Sequence, residues 1–314
     1  MPSPYPVELS PPDISGYVGN TEFPYVTRFD SGRPGPHVLI TGLTHGNELC
    51  GAIAIDFLFK HAIRPARGVM TLSFANVAAF QRFDTRVPDA SRFVDDDFNR
   101  LWDVATLEGP RQSTELARAR ELRPLIDQVD FLLDLHSMQH ATPPLALCGP
   151  TKKGLALAKA VGVPHTVVAD AGHAAGRRMR DYVGFSDEAS PKSALLVECG
   201  QHWEAASATV ALEATLRFLK HFDMLDAAAL KHLPAAAPAP QRIIEVTQAV
   251  TVKADRFEFA QRYIGLEVVP TAGTVIGVDG DTPVTTPYDN CVLIMPSRRL
   301  TRGQTAVRLG RIVA

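Results

Sequence analysis

Six short runs, several of them apolar almost without interruption, recur through the first two thirds of the chain: His37 to Gly42, Val69 to Ala75, Val129 to His136, Pro144 to Cys148, His165 to Ala169 and Ser193 to Cys199. A strand with one wet face alternates apolar and polar residues, so runs of this kind need cover on both faces. Between them, stretches near Glu48 to His61, Gln112 to Asp127, Lys153 to Val161 and Trp203 to His221 repeat apolar residues at intervals of three and four. Strand, helix, strand in succession predicts an α/β layer fold with a largely parallel sheet flanked by helices.

That pattern stops at "KHLPAAAPAPQR", Lys231 to Arg242, a Pro/Ala linker in which a helix cannot run past Pro234. Beyond it, "RIIEVTQAVTVKA", "IGLEVVPTAGTVIGV", "NCVLIMPS" and "GQTAVRLGRIVA" are short strands parted by Gly, Pro and Asp turns, with no helical period. The expectation is therefore one large domain over residues 1–232 and a small C-terminal all-β domain, a barrel or sandwich, over 233–314. No internal repeat is visible.

Lys+Arg at 32 against Asp+Glu at 34 leaves a net charge of −2, with no basic block to track a nucleic-acid backbone. Even the Ala-rich stretch from Ala205 to Leu219 carries Glu213 and Arg217, so no transmembrane helix is expected. The opening "MPSPYPVELSPPDI" has prolines and acids where a signal peptide would have a basic start and an apolar core, which predicts a cytoplasmic protein. Cys50, Cys148, Cys199 and Cys291 lie far apart without a C-x-x-C pair and are read as reduced, mostly buried thiols.

Ligands on an open α/β sheet come from loops at the carboxyl ends of strands. His45 and Glu48, in "GLTHGNELCGA", follow the run ending at Gly42; His136 follows "VDFLLDL"; Glu198 closes "SALLVE". Catalytic zinc takes three protein ligands and keeps a fourth position open, and His45, Glu48 and His136 supply such a set. Alone, a His-x-x-Glu pair better suits an ordinary helix start, where the dipole favours a first-turn acid. It is the shared placement at strand ends that turns the reading toward one Zn2+ per chain. Asp134 and His202 are candidates for orienting a ligand, and His140, His165 and His173 are read as ordinary histidines. In "SRFVDDDFNR", Ser91 to Arg100, a solvated acidic loop competes with a functional reading of Arg92, Asn99 and Arg100, since a guanidinium grips a carboxylate or steadies an oxyanion.

Taken in order and spacing, "GLTHGNELCGA", "SRFVDDDFNR", "DLHS" and "VECG" resemble the aspartoacylase and succinylglutamate desuccinylase family, deacylases among the zinc carboxypeptidase-like hydrolases. The resemblance covers residues 37 to 201. It implies that His45, Glu48 and His136 bind zinc, that Glu198 is general base and acid, and that Arg92 holds the substrate carbonyl oxygen. It further implies that Asn99 and Arg100 grip the carboxylate of the amino-acid part, and that a mixed, largely parallel carboxypeptidase-like sheet precedes a small β domain. Members that take acidic substrates carry another arginine before the catalytic Glu, for which Arg177, Arg178 and Arg180 compete; Tyr288 is the candidate for a tyrosine from the C-terminal domain.

These readings converge on a zinc-dependent hydrolase that cleaves the acyl group from a small N-acyl amino acid or related carboxylate-bearing amide or ester. Neither a nucleic acid nor a membrane is an expected partner, and assembly as a homo-oligomer is left open. Two alternatives stand beside it: a metallocarboxypeptidase acting on peptides, and a binding or regulatory module without turnover. Glu198 separates the last from the first two, because a protein that only binds has no use for a general base.

Overall fold

The structure, a computed structural model, describes residues 5–172 and 175–314; His173 lies outside the described residues. Strand β1 (Val26–Asp30) leads into β2 (His37–Gly42), α1 (Leu49–Lys60), β3 (Val69–Phe74) and the short α2 (Val77–Phe80). After an irregular stretch come α3 (Val104–Glu108), α4 (Thr114–Gln128), β4 (Phe131–Met138), β5 (Leu145–Leu147), α5 (Lys152–Val161), β6 (Thr166–Ala169), β7 (Ser193–Gln201) and α6 (Ala205–His221). From β8 (Arg242–Thr251) onward the described residues form only strands: β9 (Phe257–Phe259), β10 (Val268–Val269), β11 (Val275–Asp279), β12 (Thr282–Thr285), β13 (Cys291–Ile294) and β14 (Thr305–Ile312).

All six expected runs of the first part are strands, and all four expected helices are present. Their continuous apolarity has a direct cause. Val38, Ile40, Leu133, Leu135, Leu195 and Val197 face one core, which α1, α5 and α6 cover. Leu39, Leu132 and Ala194, the alternating neighbours, face a second core closed by Leu116, Ala119 and Leu122 of α4. Because side chains alternate across a strand, burial on both faces removes the polar half of the pattern.

The sheet is mixed, with strand order β1-β3-β2-β4-β7-β5-β6-β8-β14-β13-β10, and β9, β11 and β12 form a separate three-stranded sheet. β2 pairs in parallel with both β3 and β4, and β4 in parallel with β7. β1 against β3 and β5 against β7 run antiparallel. The hydrogen-bonded sheet does not stop at the Pro/Ala linker, since β6 pairs in parallel with β8 and carries the ladder into the C-terminal strands. The chain leaves β2 for β3 on one side and returns to β4 on the other, and that reversal opens a crevice beyond the carboxyl ends of the strands. The four cysteines are free and buried, and no helix of the described residues is long and apolar enough to cross a membrane.

Candidate metal centre and cleft

The turn after β2 is shaped by glycine. A Cβ on Gly46 would stand 2.4 Å from the backbone of Ala79 and Phe80 and 2.5 Å from the Ser91 carbonyl, so no other residue fits there. Gly42 and Gly51 likewise let β2 and α1 close on one another, with the Gly51 backbone 2.7 Å from a Cβ built at Gly42. Leu43, buried and at φ 58, holds a left-handed conformation that costs a non-glycine residue energy. Glu48 then occupies the position that caps α1, yet its side chain bonds no helix amide. A serine or aspartate there would stabilise the helix by ~1 kcal/mol. Glu48 is turned instead into the site.

Its two oxygens receive two imidazoles. His45 Nδ1 lies 2.8 Å from Glu48 Oε1, and His136 Nδ1 lies 2.8 Å from Glu48 Oε2. The far nitrogen of each ring meets a carboxylate, His45 Nε2 at 3.0 Å from Asp97 Oδ1 and His136 Nε2 at 2.9 Å from Asp134 Oδ2. Thr44 Oγ1 donates to the other oxygen of Asp134 at 2.8 Å. Both rings are thereby fixed in orientation, the arrangement that metal-binding histidines require. Donor atoms of His45, Glu48 and His136 all lie within 4.8 Å of one another, and all three residues are buried.

The chemistry of this set suits a cation. Burial works against a charged His136, but Asp134 and Glu48 overcome it and hold the imidazole well above its ordinary range. Burial would raise Glu48, and His45 and His136 bring it well below the usual carboxylate range. A buried pocket whose carboxylates favour a proton on an imidazole favours a divalent cation in place of that proton. Two nitrogens and one carboxylate are the ligand types of catalytic zinc.

Glu198 sits beside them, since β4 and β7 pair His136 with Glu198 in register. Burial pushes its carboxyl up to about 8, with His136 drawing it down and Glu48 raising it further. Its Oε2 is buried without a hydrogen-bond partner among the described residues. Arg92 donates to Glu48 Oε1 at 3.0 Å and to Asp97 Oδ2 at 3.1 Å, leaving its buried Nε without a partner among the described residues. Asn99 places Nδ2 3.4 Å from His136 Nε2, while its Oδ1 accepts from the Met179 amide at 2.8 Å. His202 Nδ1 lies 2.9 Å from Ser137 Oγ, and burial depresses its imidazole to about 3.

These side chains open into a cavity of about 450 Å³. Arg100 lines it with its Nε buried and without a partner among the described residues, and burial, reinforced by Arg92, Arg308 and Arg178, brings the guanidinium down to about 10. With Arg92 and Arg178 also in its wall, the cleft gathers guanidinium groups that suit an anion. The sequence reading did not anticipate Arg299 and Arg308, which enter this wall from the segment joining β13 to β14 and from β14 itself. Nothing in an all-β pattern marks a strand residue as reaching another layer's site. His140, read as ordinary, also lines the cavity. The structure does not bring Tyr288 there: it bonds Thr247 and lies under the Arg311 guanidinium at 3.9 Å, outside the cavity wall.

Of the three upstream arginines, Arg178 lines the cavity, Arg180 donates to the Cys148 and Ala194 carbonyls at 2.9 and 3.0 Å, and the Arg177 carbonyl accepts from Trp102. Arg178 binds Asp170 at 3.0 Å and Asp181 at 2.6 Å, and Arg308 lies 2.9 Å from Asp170. Burial would raise the Asp181 carboxyl, but Arg178 and Arg180 bring it down from 3.8 to about 2. A carboxyl lowered on folding stabilises the protein above its unfolded pKa, and the gain is lost as pH falls through the folded value. Melting temperature is thus expected to drop between pH 4 and 2, and Asp181→Asn to be less stable at pH 7 with a flatter profile; identical profiles would remove Asp181 from the acid response.

Residues 34–222 match the succinylglutamate desuccinylase/aspartoacylase catalytic domain. Human N-acyl-aromatic-L-amino acid amidohydrolase (carboxylate-forming) is 32% identical over 114 residues, which are 33% of this chain and 34% of that protein. The matched segment thus spans about a third of that curated relative. Among solved structures, succinylglutamate desuccinylase from Vibrio parahaemolyticus has a TM-score of 0.69 at 20% identity, covering 93% of this chain and 87% of that one. A succinylglutamate desuccinylase/aspartoacylase from Rhodobacter sphaeroides has a TM-score of 0.65 at 22% identity, covering 100% and 94%. At these identities the two structures speak for the fold.

Proposed function

Because the chain belongs to the succinylglutamate desuccinylase and aspartoacylase family, we propose that it is a zinc-dependent hydrolase that removes the acyl group from an N-acyl amino acid or a related small amide or ester. The observation that carries this reading is the buried Glu198 carboxylate, with one oxygen unpartnered, paired in register with His136 of the His45, Glu48 and His136 cluster. An ion held by that cluster would supply a Lewis acid that acidifies water and polarises the scissile carbonyl.

The remaining work falls to the chain's own side chains. Glu198, made more basic by burial, takes the proton of the attacking water and passes it to the leaving nitrogen. Arg92, braced on Glu48 and Asp97, is assigned to the carbonyl oxygen, where a guanidinium stabilises the developing negative charge. Arg100, beside Asn99, is assigned to the carboxylate of the amino-acid part. On this reading residues 1–232 are the catalytic unit, and residues 233–314 are an appended β unit that lends Arg299 and Arg308 to the wall. A cavity of about 450 Å³ suits a small molecule better than an extended peptide.

Metal analysis of the purified protein, with a panel of N-acyl amino acids assayed with and without chelator, tests the proposal. About one zinc per chain and hydrolysis lost on chelation and regained on adding zinc are expected; undiminished turnover in metal-free protein would end it. Arg100→Ala should weaken free carboxylates ~10- to 100-fold more than their methyl esters, since only the former engage the guanidinium fork. Equal losses on acid and ester would make Arg100 structural.

A further inference from the structure

The segment that carries Arg92, Asp97, Asn99 and Arg100 has no regular structure of its own beyond two short 3-10 turns, Pro88–Ser91 and Phe98–Arg100. Something must hold it still, because a guanidinium misplaced by ~1 Å can cost ~10²-fold in rate. The holder is found outside the cavity. Glu115, fully buried at the start of α4, accepts from the Val94 amide at 2.6 Å and from Asn76 Nδ2 at 3.0 Å through Oε1. Through Oε2 it accepts from the Asp95 and Asp96 amides, each at 3.0 Å. Three successive backbone N–H groups converge on one carboxylate, a concavity of the kind that binds anions.

The grip is reciprocal. Asp95 Oδ2 accepts from the Thr114 amide at 2.8 Å and from Thr114 Oγ1 at 2.6 Å, so the loop caps the helix while the helix binds the loop. Ser113, at the N-cap, accepts from Leu116 at 3.1 Å and completes the helix end. The segment is pinned again one residue further on, where Asp97 Oδ1 accepts from the Asn99 amide at 3.0 Å and meets His45 Nε2. Asn76, the fourth donor to Glu115, itself caps α2 by accepting from Ala79 at 3.2 Å. One carboxylate therefore joins α4, the exit of β3 and the arginine-bearing loop.

We infer that Glu115 is a positioning residue for substrate binding, acting by clamping the Val94–Asp96 amides so that Arg92 and Arg100 stand where the substrate's carbonyl and carboxylate fall. The inference rests on the proposed function for the role of the loop, and on geometry alone for the clamp. Glu115→Gln keeps the shape of the side chain but turns one of its two acceptor atoms into a donor facing donors. Two of the four bonds are then lost while the metal ligands are untouched.

Three measurements on Glu115→Gln test it: zinc content, kinetics on an N-acyl amino acid and on its methyl ester, and hydrogen exchange of the Val94–Asp96 amides. Zinc should stay near the parent's level, and those amides should exchange at least ~10-fold faster while the core helices stay protected. The value of kcat/KM on the free acid should fall ~10- to 100-fold, mostly in KM, with a smaller loss on the ester. Unchanged exchange, or equal losses on acid and ester, would overturn the inference. Should Glu115→Gln fail to fold, Asp95→Ala removes the exposed half of the grip, and the same pattern at ~3- to 10-fold is expected, its absence again overturning the inference. Should the parent hydrolyse no N-acyl amino acid, the proposed function falls, and the exchange arm alone decides whether Glu115 holds the loop.

Discussion

Glu198→Gln is expected to fold and to bind zinc like the parent while turnover drops ~10²- to 10⁴-fold, the loss typical of removing a positioned acid or base. The substitution keeps the side chain's size beside His136 and removes only its basicity. Substrate binding should largely survive, because Arg92 and Arg100 are untouched. Zinc content and kcat measured on one preparation separate three outcomes. Loss of metal would make Glu198 a ligand in place of Glu48; little change would make it a structural carboxylate; retained metal with lost turnover supports the base. The parent's kcat/KM should fall as pH drops through the Glu198 pKa, since a protonated carboxyl cannot take the water's proton. Burial sets that pKa at about 8 before any ion is present, and a bound cation draws it lower. The variant should lose that acidic limb, and the same limb in parent and variant would argue against the assignment.

His136→Ala is expected to lose most of its metal. The substitution deletes one of the two proposed nitrogen ligands and also leaves Asp134, buried and hydrogen-bonded by Thr44, without its imidazole. Glu48 loses one of the two imidazoles that hold its charge in a buried place. The fall in zinc affinity should therefore exceed the ~10- to 100-fold that follows loss of a residue that only orients a ligand. Buried carboxylates without their cation repel one another, so the variant should also melt earlier. Metal analysis after dialysis against a weak chelator, with a melting curve on the same sample, checks both. Stoichiometric zinc in the variant would mean that the third ligand has been misassigned.

The parts of this fold legible beforehand were those with a strong local cause. Val38, Leu39 and Ile40 had to lie in a strand covered on both faces, and the structure puts Leu39 in one core and its two neighbours in the other. The short strands β1, β9 and β12 were not anticipated, since "VTRFD", "FEF" and "TPVT" are too short or too polar to show a period. Within "SRFVDDDFNR" the sequence gives no reason to prefer one acid over another. Only the folded loop turns Asp97 toward His45 while Asp95 caps α4. Glu115 was equally invisible, because an acid in the first turn of a helix is ordinary on dipole grounds alone.

The sequence by itself determined the α/β layering, the helices and the turn after β2 that carries His45 and Glu48, because hydrophobic period and the topology of open sheets act locally or follow one rule; it ended two strands at His136 and near Glu198, whereas β4 runs on to Met138 and β7 to Gln201. Which partners those residues meet was decided by tertiary structure. The β4 and β7 register sets Glu198 against His136, the turn at Gly46 aims Glu48 away from its own helix, and β14 brings Arg308 from the far end of the chain to Asp170. Such contacts join residues tens to more than a hundred positions apart, where no local pattern constrains the pair and only the packing of a shared core fixes the distance.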